Sequence, residues 1–151
     1  NSSTLTTMID YAESMGVYVV ASSGNEGSST ILRPASFAAT SDYVISVGSI
    51  NSAGCRSSFS NYGSALDVAA PGEQVYTAFP NNMIGHATGT SFAAPMVSGM
   101  VALGYSNGSS VEQNQLKSLL ESSASAFTPA NCTGSANGKV TVKGLLETVL
   151  N

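Results

Sequence analysis

Apolar residues recur at Leu5, Met8, Ile9, Ala12 and Met15, the spacing of one helical face, with Ser3 or Thr4 placed to cap the start and Gly16 to stop it. Val17-Tyr18-Val19-Val20-Ala21 follows as a continuous apolar run, which is how a strand buried on both faces of a parallel sheet reads. Tyr43-Val44-Ile45-Ser46-Val47 and Leu66-Asp67-Val68-Ala69-Ala70 repeat the pattern, the second ended by Pro71-Gly72. Val75-Tyr76-Thr77-Ala78 reads as a shorter, weaker strand. Phe92 to Leu103 is almost wholly apolar or small, which predicts a helix buried all round. Val111, Leu116, Leu119 and Leu120 mark an amphipathic helix, with Ser110 and Gln113 spaced as a capping box. Val140 and Val142 alternate ahead of a short helix from Gly144 to Leu150.

Helices interleaved with apolar strands predict an α/β fold built on a doubly wound parallel sheet. With 151 residues and no linker, repeat or low-complexity tract, residues 1–151 read as one piece. Charged residues make up 9%, far below the usual quarter, and Ser, Thr, Asn and Gly supply the polarity instead, a balance that suits a secreted protein. The net charge of −4 and the absence of any Lys/Arg cluster argue against nucleic acid as a partner. No apolar run approaches the roughly 18–20 residues of a membrane span. The chain opens at Asn1-Ser2-Ser3, without a basic region or Met, and so reads as a fragment or a processed product. Cys55 and Cys132 lie far apart and outside any C-x-x-C spacing, so neither a zinc site nor a redox motif is supported. One disulfide or two free thiols both fit, and the composition favours the disulfide. Asn1, Asn107 and Asn131 head N-glycosylation sequons, which a chain this rich in Ser and Thr produces by chance.

Two short stretches carry chemistry. In Gly89-Thr90-Ser91-Phe92-Ala93-Ala94-Pro95 a serine stands between a turn-capable run and an apolar helix. Thr90 is placed to cap that helix, which puts Ser91 in a first turn where free N–H groups and the positive dipole end face the reacting centre. Pro95 has no N–H, so the Ser91 carbonyl loses its helical partner. The stretch is not the G-x-S-x-G nucleophile elbow, because Ala93 occupies its last position. Taken alone, Ser91 fits an ordinary helix-start serine as well as a nucleophile. In Ala21-Ser22-Ser23-Gly24-Asn25-Glu26-Gly27, Asn25 follows a strand directly, where ligands bind in open α/β sheets. Its amide can donate to an oxyanion without titrating, and Gly-Asn is equally a common turn.

Taken together, the two stretches resemble the nucleophile signature and the oxyanion-hole segment of the subtilisin-like serine proteases. Arg56-Ser57-Ser58-Phe59-Ser60-Asn61-Tyr62-Gly63 and Leu66-Asp67-Val68-Ala69-Ala70-Pro71-Gly72 are similar to the family's intervening motifs, nearest to its subtilisin and proteinase K branches. The similarity runs from about Thr4 to Gly144-Leu145. It implies a three-layer subtilisin-like fold, incomplete at its N-terminal half, and hydrolysis of peptide bonds through a Ser91 acyl-enzyme with Asn25 as oxyanion donor. It also implies that Ser22, Ser23 and Gly24 form one wall of the S1 pocket, that Leu32 lies near its floor, and that the Arg33–Pro34 peptide is cis. The family's aspartate and histidine belong to motifs ahead of the Asn25 segment, and nothing in this chain matches them. The resemblance therefore implies partners: a polypeptide substrate, a half-domain carrying Asp and His, and a pro-region of a secreted zymogen. It implies no cofactor in this segment and leaves room for structural calcium in the complete domain.

His86 is the sole histidine, five residues ahead of Ser91, and reads as a surface loop residue rather than a local base. Asp67 reads as a strand-end structural residue and Glu26 as an exposed loop carboxylate. The chain alone is accordingly expected to lack peptidase activity and to leave one sheet edge open. A competing reading is a non-catalytic subtilase-like binding or scaffold domain; intact H-G-T-H and D-[ST]-G patterns upstream favour the enzyme, substituted ones the scaffold. Met96 stands where relatives commonly carry histidine, and nothing in the sequence accounts for it. Many subtilisins have an oxidisable methionine directly after the nucleophile, where this chain has Phe92. The complete enzyme should therefore lose activity more slowly in peroxide than a Met-bearing relative under matched conditions; equal rates would contradict this.

Overall fold

Three parallel strands frame the chain, joined to helices that cover both faces of their sheet. The computed structural model describes residues 3–106, 115–125 and 132. Helix α1 spans Ser3–Ser14, followed by strand β1 (Val19–Ser22), a 3-10 turn (Ala35–Ala39), β2 (Val44–Ile50) and β3 (Val68–Pro71). A hairpin of β4 (Val75–Phe79) and β5 (Met83–Ala87) leads into α2 (Thr90–Ser106), and α3 covers Leu116–Ser122. Ser110, Gln113 and the expected elements at Val140–Leu150 lie outside the described residues.

The sheet has the order β1-β2-β3, with Val19 opposite Val44 and Val47 opposite Val68. β2 is the middle strand and is buried along its whole length, its Ser46 and Ser49 included, as a strand covered on both faces is. On one face Ile45, Val47, Val68 and Ala70 pack against Ala93, Val97 and Met100 of α2 and Leu120 of α3. On the other, Val44 meets Ile9 of α1 and Ala38 of the 3-10 turn. A satellite cluster of Ala21, Ile31, Ala35 and Leu66 holds the loop after β1 against the sheet. Fully burying side chains the size of Val47 or Val97 stabilises the fold by about 1.5–3 kcal/mol each. The result is the three-layer α/β arrangement read from the sequence.

Three local readings differ. β1 is an edge strand among the described residues and is only half-buried, with Val17 just ahead of it exposed. α2 is not buried all round: Ala93, Ala94, Val97, Met100, Val101 and Gly104 form one buried stripe, whereas Met96 and Leu103 are exposed. The described sheet and α3 fill only one side of this helix, so its apolar sequence exceeds the cover it meets. A groove of about 400 Å³ opens between β1 and α2, bordered by Val17, Tyr18, Val101 and Tyr105. Finally, Val75–Ala78 has a partner strand that periodicity did not mark, because Met83–Ala87 is interrupted by Gly85 and His86. The turn signal was present in Asn81-Asn82, both at positive φ, which asparagine tolerates better than most residues.

Cys55 and Cys132 form a disulfide with Cα atoms 5.0 Å apart, closing a loop of 77 residues. In the chain-entropy picture, closure of that length disfavours the unfolded state by roughly 4.5 kcal/mol. The Arg33–Pro34 peptide is cis, as the resemblance implied. No helix of the described residues is long and apolar enough to cross a membrane.

A polar network closes the opposite end of the sheet from Asn25. The Ser46 N–H donates to Asp67 Oδ2 at 2.8 Å, and the Asp67 N–H returns a bond to Ser46 Oγ at 2.7 Å, locking β2 to the approach of β3. Lys117 of α3 pairs with Asp67 at 3.4 Å while nearly buried. Glu121, one turn on, has its carboxyl raised above the ordinary range by burial first and by the charge of Asp67 second, with Lys117 pulling the other way. A carboxyl whose folded-state pKa is raised favours the fold while protonated, below its unfolded value, and this contribution is lost as pH rises through the folded value. Glu121→Gln should therefore raise the thermal midpoint at neutral pH, with the gain shrinking as the pH falls through the raised folded value and gone below the ordinary value of 4.5. Melting curves of both proteins across pH 4–8 check this, and a gain independent of pH would contradict it.

Candidate active site

Ser22 ends β1, and the chain turns across the carboxyl ends of the strands through Ser23, Gly24 and Asn25. Ser23 is fully buried: its N–H bonds the Val47 carbonyl at 2.9 Å, and its own carbonyl accepts from Leu32 N–H at 2.9 Å. Gly24 has φ +111°, in the region open to glycine, and a Cβ there would strike the Asn61 amide, Glu26 Oε2 at 2.6 Å and Leu32 Cγ at 2.8 Å. Ser22, Ser23, Gly24 and Leu32 are thus brought together beside Asn25, with Leu32 remaining 43% exposed.

Asn61 organises this loop. It is fully buried, and its Oδ1 accepts the N–H groups of Glu26 and Ser28, each at 3.0 Å. Two backbone donors fix that oxygen's identity, so the amide nitrogen must face the other way. It donates there to the Ser23 carbonyl (3.2 Å), the Thr30 carbonyl (2.9 Å) and Glu26 Oε2 (2.7 Å). The Asn61 N–H also bonds the Gly24 carbonyl at 3.1 Å. The residues on either side of Asn25 are therefore both tied to one buried residue, Gly24 through the Asn61 backbone N–H and Glu26 through its side chain. Glu26, read as an exposed loop carboxylate, is exposed, and it also serves as an acceptor for Asn61. Loop carboxylates give no sequence signal for such a bond, since the partner lies 35 positions away.

Asn25 itself points at the start of α2. Its Oδ1 accepts the Thr90 N–H at 2.9 Å and the Thr90 hydroxyl at 2.8 Å. Thr90 is the first residue of the helix rather than the residue before it, so its expected role as cap is reversed: Asn25, 65 positions away, caps the helix through Thr90. Because a backbone N–H can be met only by the amide oxygen, the Asn25 NH₂ is turned away from Thr90 and left to donate elsewhere. Asn25 Nδ2 lies 3.4 Å from where a Cβ on Gly89 would stand. Ser91 is the next residue of that helix, exposed and in its first turn. The helix start is pinned to the sheet by Gly89 N–H to the Gly72 carbonyl, at 2.8 Å. Phe92 is half-buried beside the same turn, with its N–H on the Gly89 carbonyl at 3.0 Å, and Met96 is exposed without an evident role.

His86 lies on β5 rather than in a loop, with Nδ1 2.9 Å from the Gln74 carbonyl and its ring tilted on Tyr76. Its hairpin partners, not Ser91, engage it. Asp67 is bound to Ser46 and Lys117 at the other end of the sheet. Among the described residues, no group of three or more His, Cys, Asp and Glu side chains is placed to hold a metal ion. What the chain assembles is a first-turn serine and a preoriented amide donor.

Comparison with known proteins gives the family of the chain. The model of the "Subtilase family" matches residues 1–145. "Subtilisin" of Bacillus pumilus is 42% identical over 123 residues, covering 82% of this chain and 45% of the relative. "Subtilisin BL" of Lederbergia lenta is 37% identical over 134 residues, covering 89% of this chain and 48% of the relative. Among solved structures, the patellamide maturation protease PatA superposes with a TM-score of 0.87 at 27% identity, over 99% of this chain and 57% of that one. A protease from Pseudoalteromonas arctica gives 0.86 at 30% identity, over 98% and 47%. The chain thus spans about half the length of these relatives. The subtilisin-like fold over almost all of its residues, and a family match from residue 1 to 145, place this chain in the subtilase family.

Proposed function

We propose that this chain supplies the nucleophile and the oxyanion donor of a subtilisin-like serine endopeptidase, secreted, acting on polypeptides. The observation that carries this reading is the pair of hydrogen bonds from Thr90 to Asn25 Oδ1, which brings an amide donor to the helix turn that bears Ser91. Ser91 Oγ attacks the scissile carbonyl carbon, and its proton passes to a histidine supplied by a segment outside this chain's motifs. The carbonyl oxygen becomes an oxyanion, and the Asn25 NH₂ donates to it at the positive end of α2. Collapse of the tetrahedral intermediate expels the amine, which takes the histidine's proton, and leaves an acyl-Ser91 ester that water hydrolyses by the same route. Ser22, Ser23 and Gly24 form one wall of the pocket for the residue ahead of the scissile bond, with Leu32 at its floor.

The half-domain with Asp and His occupies the open side of β1 and α2, where the edge strand and the groove beside it leave room for further layers. A pro-region completes the precursor. The disulfide fits an oxidising compartment and supports secretion.

A fluorophosphonate probe should label the complete protein at Ser91, and Ser91→Ala should abolish labelling and peptidase activity together. A folded, complete protein that resists the probe would instead be the binding or scaffold domain. Asn25→Ala should slow acylation about 10²–10³-fold, a magnitude obtained on subtilisin itself. Thr90→Val removes one of the two bonds that aim the amide, a loss of about 0.5–1.5 kcal/mol. It should lower kcat roughly two- to tenfold with KM little changed, measured on a peptide anilide; an unaltered kcat would separate Thr90 from the reaction.

A further inference from the structure

Apart from the groove beside β1, a hollow of about 490 Å³ opens at the end of the sheet that bears the Asn25 loop, bordered by Ile50, Asn51, Ser52, Gly54, Pro71 and Glu73. Pockets that hold small ligands measure roughly 300–1,000 Å³. Ile50 and Pro71 are the last residues of β2 and β3, so the hollow lies beyond the carboxyl ends of the strands, where ligands bind in open α/β sheets. One wall is a turn bonded to itself. Asn51 Oδ1 accepts the N–H groups of Ala53 and Cys55 at 3.0 and 3.1 Å, and the Gly54 N–H meets the Asn51 carbonyl at 3.0 Å. Gly54 takes a φ of +78°, open to glycine, to close this turn, and Cys55 is braced by its bond to Cys132. The hollow is thus preformed.

Its charge is one-sided. Among the described residues that line it, only Glu73 is charged, and this residue is half-buried. Arg56, which follows the turn, faces elsewhere: its guanidinium donates to the Ser57 and Ser60 carbonyls at 3.2 and 2.7 Å and lies over the Tyr62 ring. Among the described residues Glu73 forms no ion pair. A cationic side chain entering the hollow would supply the missing charge.

Backbone bonds fix its place relative to Ser91. Gly72, between Pro71 and Glu73, accepts the Gly89 N–H at 2.8 Å, and Gly89 stands two residues ahead of Ser91. Two residues span at most ~7 Å, so the rim of the hollow lies on the order of 10 Å from Ser91. An extended peptide rises ~3.3 Å per residue and covers that distance in three or four. The strand order β1-β2-β3 gives the direction. On the serine-peptidase reading, the loop after β1 walls the residue ahead of the scissile bond, so a substrate crossing the strand ends reaches the β3 side after that bond. Resting on that reading, we propose that the hollow is a subsite for a lysine or arginine side chain of the substrate, three or four residues beyond the scissile bond, with Glu73 selecting the charge.

Internally quenched peptides that differ only in Lys or Gln at the third or fourth residue beyond the cleaved bond test this on the complete protein, with the cleaved bond checked by mass. The parent should hydrolyse the Lys peptide with a kcat/KM about two- to fivefold above its Gln counterpart at one of those positions, the range of an ion pair open to water. The ratio should fall to near one in Glu73→Gln, and should shrink for the parent in about 1 M salt. A ratio of one in the parent at both positions, or a preference that survives Glu73→Gln, would overturn the proposal. A peptide anilide carries no residue at those positions and reads the underlying reaction. A parent that cleaves the anilide without preferring Lys loses the subsite alone, whereas one that cleaves neither substrate loses the peptidase reading and the subsite together.

Discussion

One carbonyl oxygen, Asn25 Oδ1, receives both the N–H and the hydroxyl of Thr90, and through it the loop after β1 is fastened to the start of α2. Neither element could set this geometry alone. The loop lacks regular structure, and the helix begins with N–H groups that its own turn leaves unmatched. Each meets the other's deficit. Asn61 makes the bond possible from behind, by holding the residue before Asn25 with its backbone N–H and the residue after it with its buried side-chain amide. Of the two asparagines, one has its donors spent within the protein, and the other has its acceptor spent and its donors left over. That difference separates a structural amide from one able to serve a reaction.

The same economy governs the sheet. β2 is buried throughout and needs no polar help along its length, but its two ends are closed by hydrogen-bonded side chains. At the carboxyl end Ser49 N–H meets Ser60 Oγ at 3.0 Å, and Ser49 and Ser57 share a hydroxyl bond at 2.7 Å. At the amino end Ser46, Asp67 and Lys117 do the corresponding work. A chain with only 9% charged residues closes its core with hydroxyls and amides, and spends its few charges where several carbonyls converge.

Much of the fold was legible because it depends on local pattern. The buried strands announce themselves as apolar runs, α1 by its spacing, and Ser91 and Asn25 by motifs of contiguous residues. What was hidden depends on partners far along the chain. Asn61 gives no sign that it binds a loop more than 30 positions earlier, and Lys117 looks like any exposed helix lysine until Ala38, Ser41 and Asp67 surround it. Thr90 was read as a cap from its position, whereas the cap comes from a distant side chain. The helix α2 was overread for the opposite reason: its sequence is apolar or small all round, and the described sheet and α3 cover only one stripe of it.

The bond between Cys55 and Cys132 encloses β3, the β4–β5 hairpin and all of α2 within one covalent ring. Tyr76, Met83 and Ile84 make the hairpin the most openly presented apolar segment among the described residues of that ring. A backbone cut at its tip, the kind of damage a protease inflicts on its own copies, would open the ring without releasing either piece. The nicked molecule would keep Ser91 linked to Asn25 through the sulfur bridge, and its mass would betray the cut only after reduction.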